Sequence, residues 1–221
     1  WTMGVLAAES NIASAKYKPE RSSKVNNEEM VVIQQKLYEK RVKQFGEGNP
    51  YTIRTGVVLA IALENAYHSI EAERLMTKLA TMSKRVHGPD HNITKQAGSG
   101  IEWCKVRYVK INGQDQKQRF QALQYEENGE KCVVQGPIAE PRNIREEQTL
   151  TVASDDIRFT FGAPVICHGL KTLTHLNGKI GDLRSWDEAS ECFKVHFEDK
   201  ELVPCLVKEK FLRILFELPD E

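Results

Sequence analysis

Neither sign of charge prevails in this chain: 31 lysines and arginines are matched by 31 aspartates and glutamates. No global field steers it toward nucleic acid or an anionic membrane. Long apolar runs are missing as well. The absence of 18 consecutive apolar residues excludes a membrane-spanning helix of ordinary length. The opening WTMGVLAAES has neither a basic n-region nor a full apolar h-region, so it does not read as a signal peptide. Cysteine is sparse: Cys104, Cys132, Cys167, Cys192 and Cys205 form an odd, scattered set without a CxxC pair. That usage fits a reducing, cytoplasmic setting. In such a setting the sequon Asn92-Ile93-Thr94 is a coincidence of a turn. Neither nucleotide fingerprint, G-x-x-x-x-G-K-[ST] or G-x-G-x-x-G, occurs, and Gly98-Ser99-Gly100 is too short to cradle a phosphate.

What is present is enough apolar residue, 40% of 221, to bury a sizeable core in two or three domains. The most informative feature is an echo 42 residues apart. Gly46, Asn49 and Thr52 in GEGNPYT recur as Gly88, His91 and Thr94 in GPDHNIT, each set after a basic segment (Arg41 and Lys43; Lys84 and Arg85). A period of that size predicts stacked helix pairs that expose an extended binding surface. In TIRTGVVLAIALENAYHS the apolar Val57, Val58, Ile61, Leu63 and Ala66 sit among Gly56, Ala60 and Ala62, which allow a neighbouring helix to approach closely. Ser69 is the expected cap of the next helix, with Glu71 and Glu73 in its first turn, Lys84 and Arg85 in its last, and Gly88-Pro89 as its stop. Ala72, Leu75, Leu79 and Met82 lie along one face of it. The same face 42 residues earlier is Met30, Ile33, Leu37 and Lys40. Between the first two helices, YKPERSSKVNN (17–27) reads as a polar loop. Trp1 already stands inside a helix-like pattern, so the chain is expected to be a fragment with further repeats upstream.

The 42-residue spacing, the G-x-x-[HN]-x-x-T turn, Val58-Leu59-Ala60 and Ile70-Glu71-Ala72-Glu73-Arg74-Leu75 together resemble kinesin light chain-type tetratricopeptide repeats over residues 1 to about 105. The resemblance implies helical hairpins whose inner helices hold a peptide. In that family an asparagine just before Leu-Ala holds the peptide backbone. Here Val58 and Val5 stand at that place, and neither makes an amide hydrogen bond.

From about residue 106 the period changes from helical to alternating. VRYVKI, RFQALQY, KCVVQGPI, EQTLTVA and DIRFTF read as strands, and APVICHGL, KIGDLRSW, CFKVHFE, ELVPCLVK and FLRILFEL as a second set. Asn112-Gly113, Asn128-Gly129 and Asn177-Gly178 are turn signals, the first two being strong candidates for two-residue hairpins with positive φ at both positions. Gly181 permits close strand approach, and Phe193, Val195 and Phe197 alternate inward against Lys194 and His196. The last 60 residues resemble an SH3-like barrel of the broad kind that includes KOW-type segments. Residues 106–160 read either as a divergent second copy or as part of one larger β domain.

Chemistry-bearing residues have a plainer reading. Cys167-His168, Cys192, His196, His175 and Cys205 lack the paired-ligand spacing of a closed zinc site; Cys192 and His196 share a strand face about 13 Å apart. No oxyanion hole accompanies a Cys-His pair. Asp155-Asp156 and Glu126-Glu127 read as solvated turns. Trp103 is expected to dock the last helix on the β region, whereas Trp186, in the polar loop RSWDEAS, is the exposed aromatic. Lys179, Arg184, Lys194, Lys208, Lys210 and Arg213 raise RNA binding as the alternative function. Interleaved acids such as Asp182, Asp187, Glu188 and Glu198 oppose counterion release. The expectation is therefore α+β and multidomain: tetratricopeptide-like helices (1–105), a β module (106–160) and an SH3-like barrel (161–221). It is expected to act as a non-enzymatic protein-interaction scaffold without catalytic, cofactor or metal residues. Arg54 and Asn65 supply polar contacts and Val58 and Ile61 an apolar floor for a protein or peptide ligand, with Trp186 as a further anchor.

Overall fold

The computed structural model describes residues 24–114, 120–126, 129–136 and 148–219. The chain divides into two compact units, Trp1–Cys104 and Lys105–Glu221. Among the described residues the first is helical and the second carries two antiparallel sheets, so the fold class is mixed α+β.

The described residues of the first unit form four helices: α1 (Lys24–Phe45), α2 (Pro50–Asn65), α3 (Ser69–His87) and α4 (Asn92–Cys104). Connections of three or four residues force consecutive helices to be neighbours, and α2 also touches α4. The sequence echo is an echo of bonding. Gly46 and Gly88 take φ +80° and +84°, the left-handed region that stops a helix at little cost to glycine. Asn49 Oδ1 accepts from Tyr51 N at 2.9 Å, and His91 Nδ1 accepts from Ile93 N at 3.2 Å, so each side chain satisfies a free amide at the next helix start. Thr52 Oγ1 donates to Arg41 O at 3.4 Å, and Thr94 Oγ1 meets Ser83 Oγ at 2.8 Å. Both threonines thus reach back 11 residues to the preceding helix.

Close packing follows from the small residues. A Cβ on Gly56 would stand 2.7 Å from Leu79 Cδ1, and one on Gly100 2.6 Å from Met76 Cε. Ile53, Leu59, Leu63, Ala72, Met76, Leu79, Ile93 and Cys104 close one core, each large member contributing about 1.5–3 kcal/mol.

Three expectations are corrected here. The inward face of α1 is Gln34, Leu37, Tyr38 and Arg41, while Ile33 is 47% exposed and Lys40 faces solvent. Gln34, Leu37 and Arg41 stand 42 residues before the buried Met76, Leu79 and Ser83. The cation is accommodated because Arg41 Nη1 donates to Tyr51 O at 3.0 Å and to Thr55 Oγ1. Next, Lys24–Asn27, taken for loop, is the first turn of α1, where Asn27 Nδ2 donates to Asn65 O at 2.7 Å; residues 17–23 lie outside the described residues. Finally, Ser69 is the first helical residue of α3, not its cap. Its hydroxyl donates to Glu64 Oε2, and His68 holds the cap position with its ring turned to the Glu28 carboxylate rather than capping the helix.

In the second unit each of the ten strand-like segments contains a strand: β1 (Arg107–Ile111), β2 (Phe120–Tyr125), β3 (Lys131–Gly136), β4 (Gln148–Ala153), β5 (Ile157–Phe159), β6 (Pro164–Cys167), β7 (Ile180–Asp187), β8 (Cys192–Phe197), β9 (Cys205–Val207) and β10 (Leu212–Ile214). They form two five-stranded sheets, ordered β4-β3-β2-β1-β5 and β10-β6-β7-β8-β9. Gly181 is required where β7 crosses β8, since a Cβ there would lie 2.5 Å from His196 O. Phe193, Val195 and Phe197 point inward as their alternation demands. The sheets are tied together by Ile214, which joins the core of the first sheet, by Arg107 Nε donating to Leu215 O, and by Ile214 N donating to Tyr125 Oη.

One turn differs from expectation and one matches it. Asn112-Gly113 turns the chain, with Gln114 N donating to Ile111 O, but β1 and β2 pair Val109 with Phe120, so the loop is longer than two residues. At Asn177-Gly178 only the glycine is left-handed (φ +81°); Asn177 has φ −62° and ψ 130°, as in a type II turn. Asn128 lies outside the described residues.

Candidate peptide-binding cleft

Helices α1 and α2 leave a cleft of about 120 Å³ between them, lined by Asn27, Met30, Gln34, Val58, Ile61, Ala62 and Asn65. The α2 half presents Val58, Ile61 and Asn65 because they fall at spacings of three and four on the side of the helix turned away from the main core. Val58 is half-buried, Ile61 is 41% exposed, and Asn65 is exposed at the helix end. From α1 come Asn27, Met30 and Gln34, again at three and four. Typical small-molecule sites run to about 300–1,000 Å³. This cleft is too small for a cofactor and suits a few side chains of a polypeptide.

Gln34 gives the cleft its polarity. The residue is 1% exposed; its Nε2 faces Met30 Sδ at 3.7 Å, and its Oε1 has no hydrogen-bond partner. A buried carbonyl of this kind costs about 1–3 kcal/mol until a donor reaches it. Asn65 O is already engaged by Asn27.

Three of the four helical site residues thus meet in one cleft. Arg54, exposed one turn earlier on α2, does not line it. Trp186 belongs to the other unit and lies on β7 rather than in a loop, because β7 runs on past a bulge at Leu183–Ser185 to pair Trp186 with Phe193. Its ring meets the Phe193 ring edge-on at 4.8 Å and is 38% exposed. Trp103, near the end of α4, is 47% exposed. Residue-type reasoning missed Asn27, Met30, Gln34 and Ala62 as cleft residues. The 42-residue offset that places Gln34 opposite Met76 was the signal that could have found the central one.

The β unit holds a larger cleft, about 1070 Å³, between its two sheets. Across it Arg158 Nη1 donates to Glu209 Oε2 at 3.0 Å and Phe159 N donates to Glu209 Oε1 at 3.3 Å. Burial raises the Glu209 carboxyl above its ordinary range, against the opposing pull of that amide and of Arg158. Burial, reinforced by Arg213, holds His168 low. The remaining charges alternate in sign, Glu130, Asp155 and Glu191 against Lys210 and Arg213, so the cleft presents no single potential. Asp155 and Asp156 sit exposed on a one-turn 3-10 helix. Burial pushes the Cys132 and Cys167 thiols up to about 11, leaving both protonated near neutrality.

No family model and no curated protein matches this chain. Among the described residues no helix is long and apolar enough to cross a membrane, and no group of three or more His, Cys, Asp or Glu side chains is placed to hold a metal ion.

Proposed function

We propose that this chain is a non-enzymatic protein-interaction module of the tetratricopeptide type with appended SH3-like barrels, and that it docks a polypeptide segment in the α1–α2 cleft. The observation that carries the reading is the combination of an apolar wall, half-buried Met30 and Val58 with exposed Ile61, and the buried, unpaired acceptor of Gln34. Apolar side chains of the ligand fill the cleft, and a donor pairs Gln34 Oε1. The repeated Gly, Asn/His and Thr turn supports the tetratricopeptide identity, since the same three positions, 42 residues apart, stop a helix, accept an amide at the next helix start and bond back to the preceding helix, Thr52 to a backbone oxygen and Thr94 to a hydroxyl. Five free cysteines, four of them buried, support a cytoplasmic setting. Probing the full chain against an array of overlapping 15-residue peptides tests the proposal. Binders should share an apolar anchor beside a donor, and Val58→Ala or Ile61→Ala should weaken them about 5- to 30-fold, as loss of an interface anchor does. Binding indifferent to both substitutions would remove the cleft from consideration.

A further inference from the structure

The two sheets of the β unit are built on one plan. Numbered within its own sheet, each runs fourth, third, second, first, fifth strand. A one-turn 3-10 helix, Ser154–Asp156 in one and Glu209–Phe211 in the other, joins the last two strands of each. The second strand carries a bulge at the same place, Ala122–Gln124 and Leu183–Ser185. Register then gives the equivalent residues. Counting from the bulge aligns Tyr125 with Trp186, and counting from the 3-10 turn aligns Ser154 with Glu209, Arg158 with Arg213 and Phe159 with Ile214. Both members of the first three pairs line the large cleft, so the sheets meet through equivalent faces. One half of the cleft shows what that plan accommodates. The Glu209 carboxylate of one sheet accepts from Arg158 Nη1 at 3.0 Å and from Phe159 N at 3.3 Å in the other. In the second half no acid stands at the equivalent place, which is Ser154, and its hydroxyl donates to Gly129 O. The equivalent amide, Ile214 N, donates to Tyr125 Oη at 3.2 Å. The equivalent guanidinium is unmet: Arg213 is exposed and makes no hydrogen bond or ion pair among the described residues. Burial raises the Tyr125 hydroxyl against the opposing pull of Arg213, so the phenol keeps its proton and has it free to donate.

We propose that the Arg213 half of this cleft binds an aspartate or glutamate side chain from a partner polypeptide, one carboxylate oxygen on Arg213 and the other on the Tyr125 hydroxyl, as the Arg158 half binds Glu209. This is a docking site within the β unit, separate from the α1–α2 cleft. A mixed-charge cleft draws no polyanion, but a single carboxylate needs only one guanidinium and one further donor. A neutral amide side chain does not reproduce that charge-assisted pairing. Glu130, Asp155 and Glu191 line the same cleft and repel a phosphate group, which carries about −1.5 to −2 of charge, more than they repel a singly charged carboxylate. Trp186, exposed in the same cleft, offers an apolar neighbour of the acid a surface to cover.

The test titrates the full chain with an acetylated, amidated peptide, Gly-Phe-Glu-Phe-Gly, and follows the arginine Nε–H resonances by NMR, with Arg213 assigned from Arg213→Lys. The peptide should saturate at one per chain and move the Arg213 resonance. Arg213→Gln, and separately the peptide with glutamine in place of its glutamate, should each weaken binding about tenfold or more, and Tyr125→Phe about fivefold. Glu209→Ala removes the acid from the other half, so a second peptide per chain should then bind, at Arg158. Absence of binding overturns the proposal, as does binding that survives Arg213→Gln, a folded Glu209→Ala chain that still takes only one peptide, or displacement of the peptide by an equal concentration of inorganic phosphate. Binding that appears only in Glu127→Gln also overturns it, because the acid on Arg213 is then the chain's own. If Glu209→Ala does not fold, Arg213→Gln, a change at an exposed position, decides alone. The α1–α2 reading is tested apart from this one: its peptides respond to Val58→Ala and not to Arg213→Gln, whereas binding at Arg213 is indifferent to Ile61→Ala.

Discussion

Alanine at Gly56 and at Gly98 separates helix packing from helix propensity. Both glycines lie inside helices, α2 and α4, so each substitution gains about 1 kcal/mol of propensity. A Cβ on Gly98 meets nothing within 4 Å. On Gly56 it would stand 2.7 and 2.9 Å from the two Leu79 δ-carbons and 3.1 Å from Tyr38 Cε2. Leu79 is 0% and Tyr38 8% exposed, so neither has room to retreat, and overpacking of this kind costs about 1–3 kcal/mol. Gly98→Ala should therefore stabilise the helical unit by about 1 kcal/mol, and Gly56→Ala should destabilise it by up to about 2 kcal/mol. The gap between the two variants is the packing cost alone, because the propensity gain is common to both. In urea unfolding followed by far-UV circular dichroism, with a slope of about 2 kcal/mol/M, a gap of about 2 kcal/mol separates the midpoints by about 1 M. Coincident midpoints would refute the close helix approach on which the repeat stacking depends.

The same reasoning extends to other sites. Gly181→Ala places a Cβ 2.5 Å from a backbone oxygen that cannot rotate away, so it should cost at least about 2 kcal/mol in a thermal melt of the β unit. Thr94→Val leaves the fully buried Ser83 hydroxyl without Thr94 and should lose about 1–3 kcal/mol, whereas Thr52→Val, whose bond is a long 3.4 Å, should lose less than about 1 kcal/mol. A reversed order in paired urea melts would contradict the placing of the stronger of the two bonds at Thr94. Burial makes the folded chain hold the Glu209 proton more tightly than the unfolded chain does. The stability this contributes is complete below the ordinary glutamate value of about 4.3 and is lost as pH rises through the raised folded value. Glu209→Gln should flatten that part of the stability profile, and an unchanged profile would place the titration elsewhere.

Helices and strands were legible because their apolar periods differ, 3.6 against 2, and because glycine marks their ends. All ten strand segments and the Gly46 and Gly88 stops follow from that contrast. The α1 face was misread by one position for a specific reason. Two of its inward residues, Gln34 and Arg41, are polar, and the apolar Ile33 faces out, so hydrophobicity pointed to the wrong side. Tertiary partners decide that register: Tyr51 O and Thr55 receive the Arg41 guanidinium, and they belong to another helix. The cleft was half legible. Val58, Ile61 and Asn65 are an exposed stripe on one helix, but Gln34 becomes a cleft residue only when α1 is docked against α2. Trp186 looked like loop because its neighbours are polar, yet pairing with Phe193 keeps it in strand.

The most direct measurement of the central claim is methyl NMR of the full chain, labelled at isoleucine and methionine, during titration with a 15-residue peptide that the array selects. Docking in the α1–α2 cleft predicts that Ile61 and Met30 shift together and saturate at one peptide per chain, with Ile157, Ile166 and Ile214 of the β unit unmoved. Shifts confined to the β unit, or none in Ile61 and Met30 while the peptide binds, would contradict it.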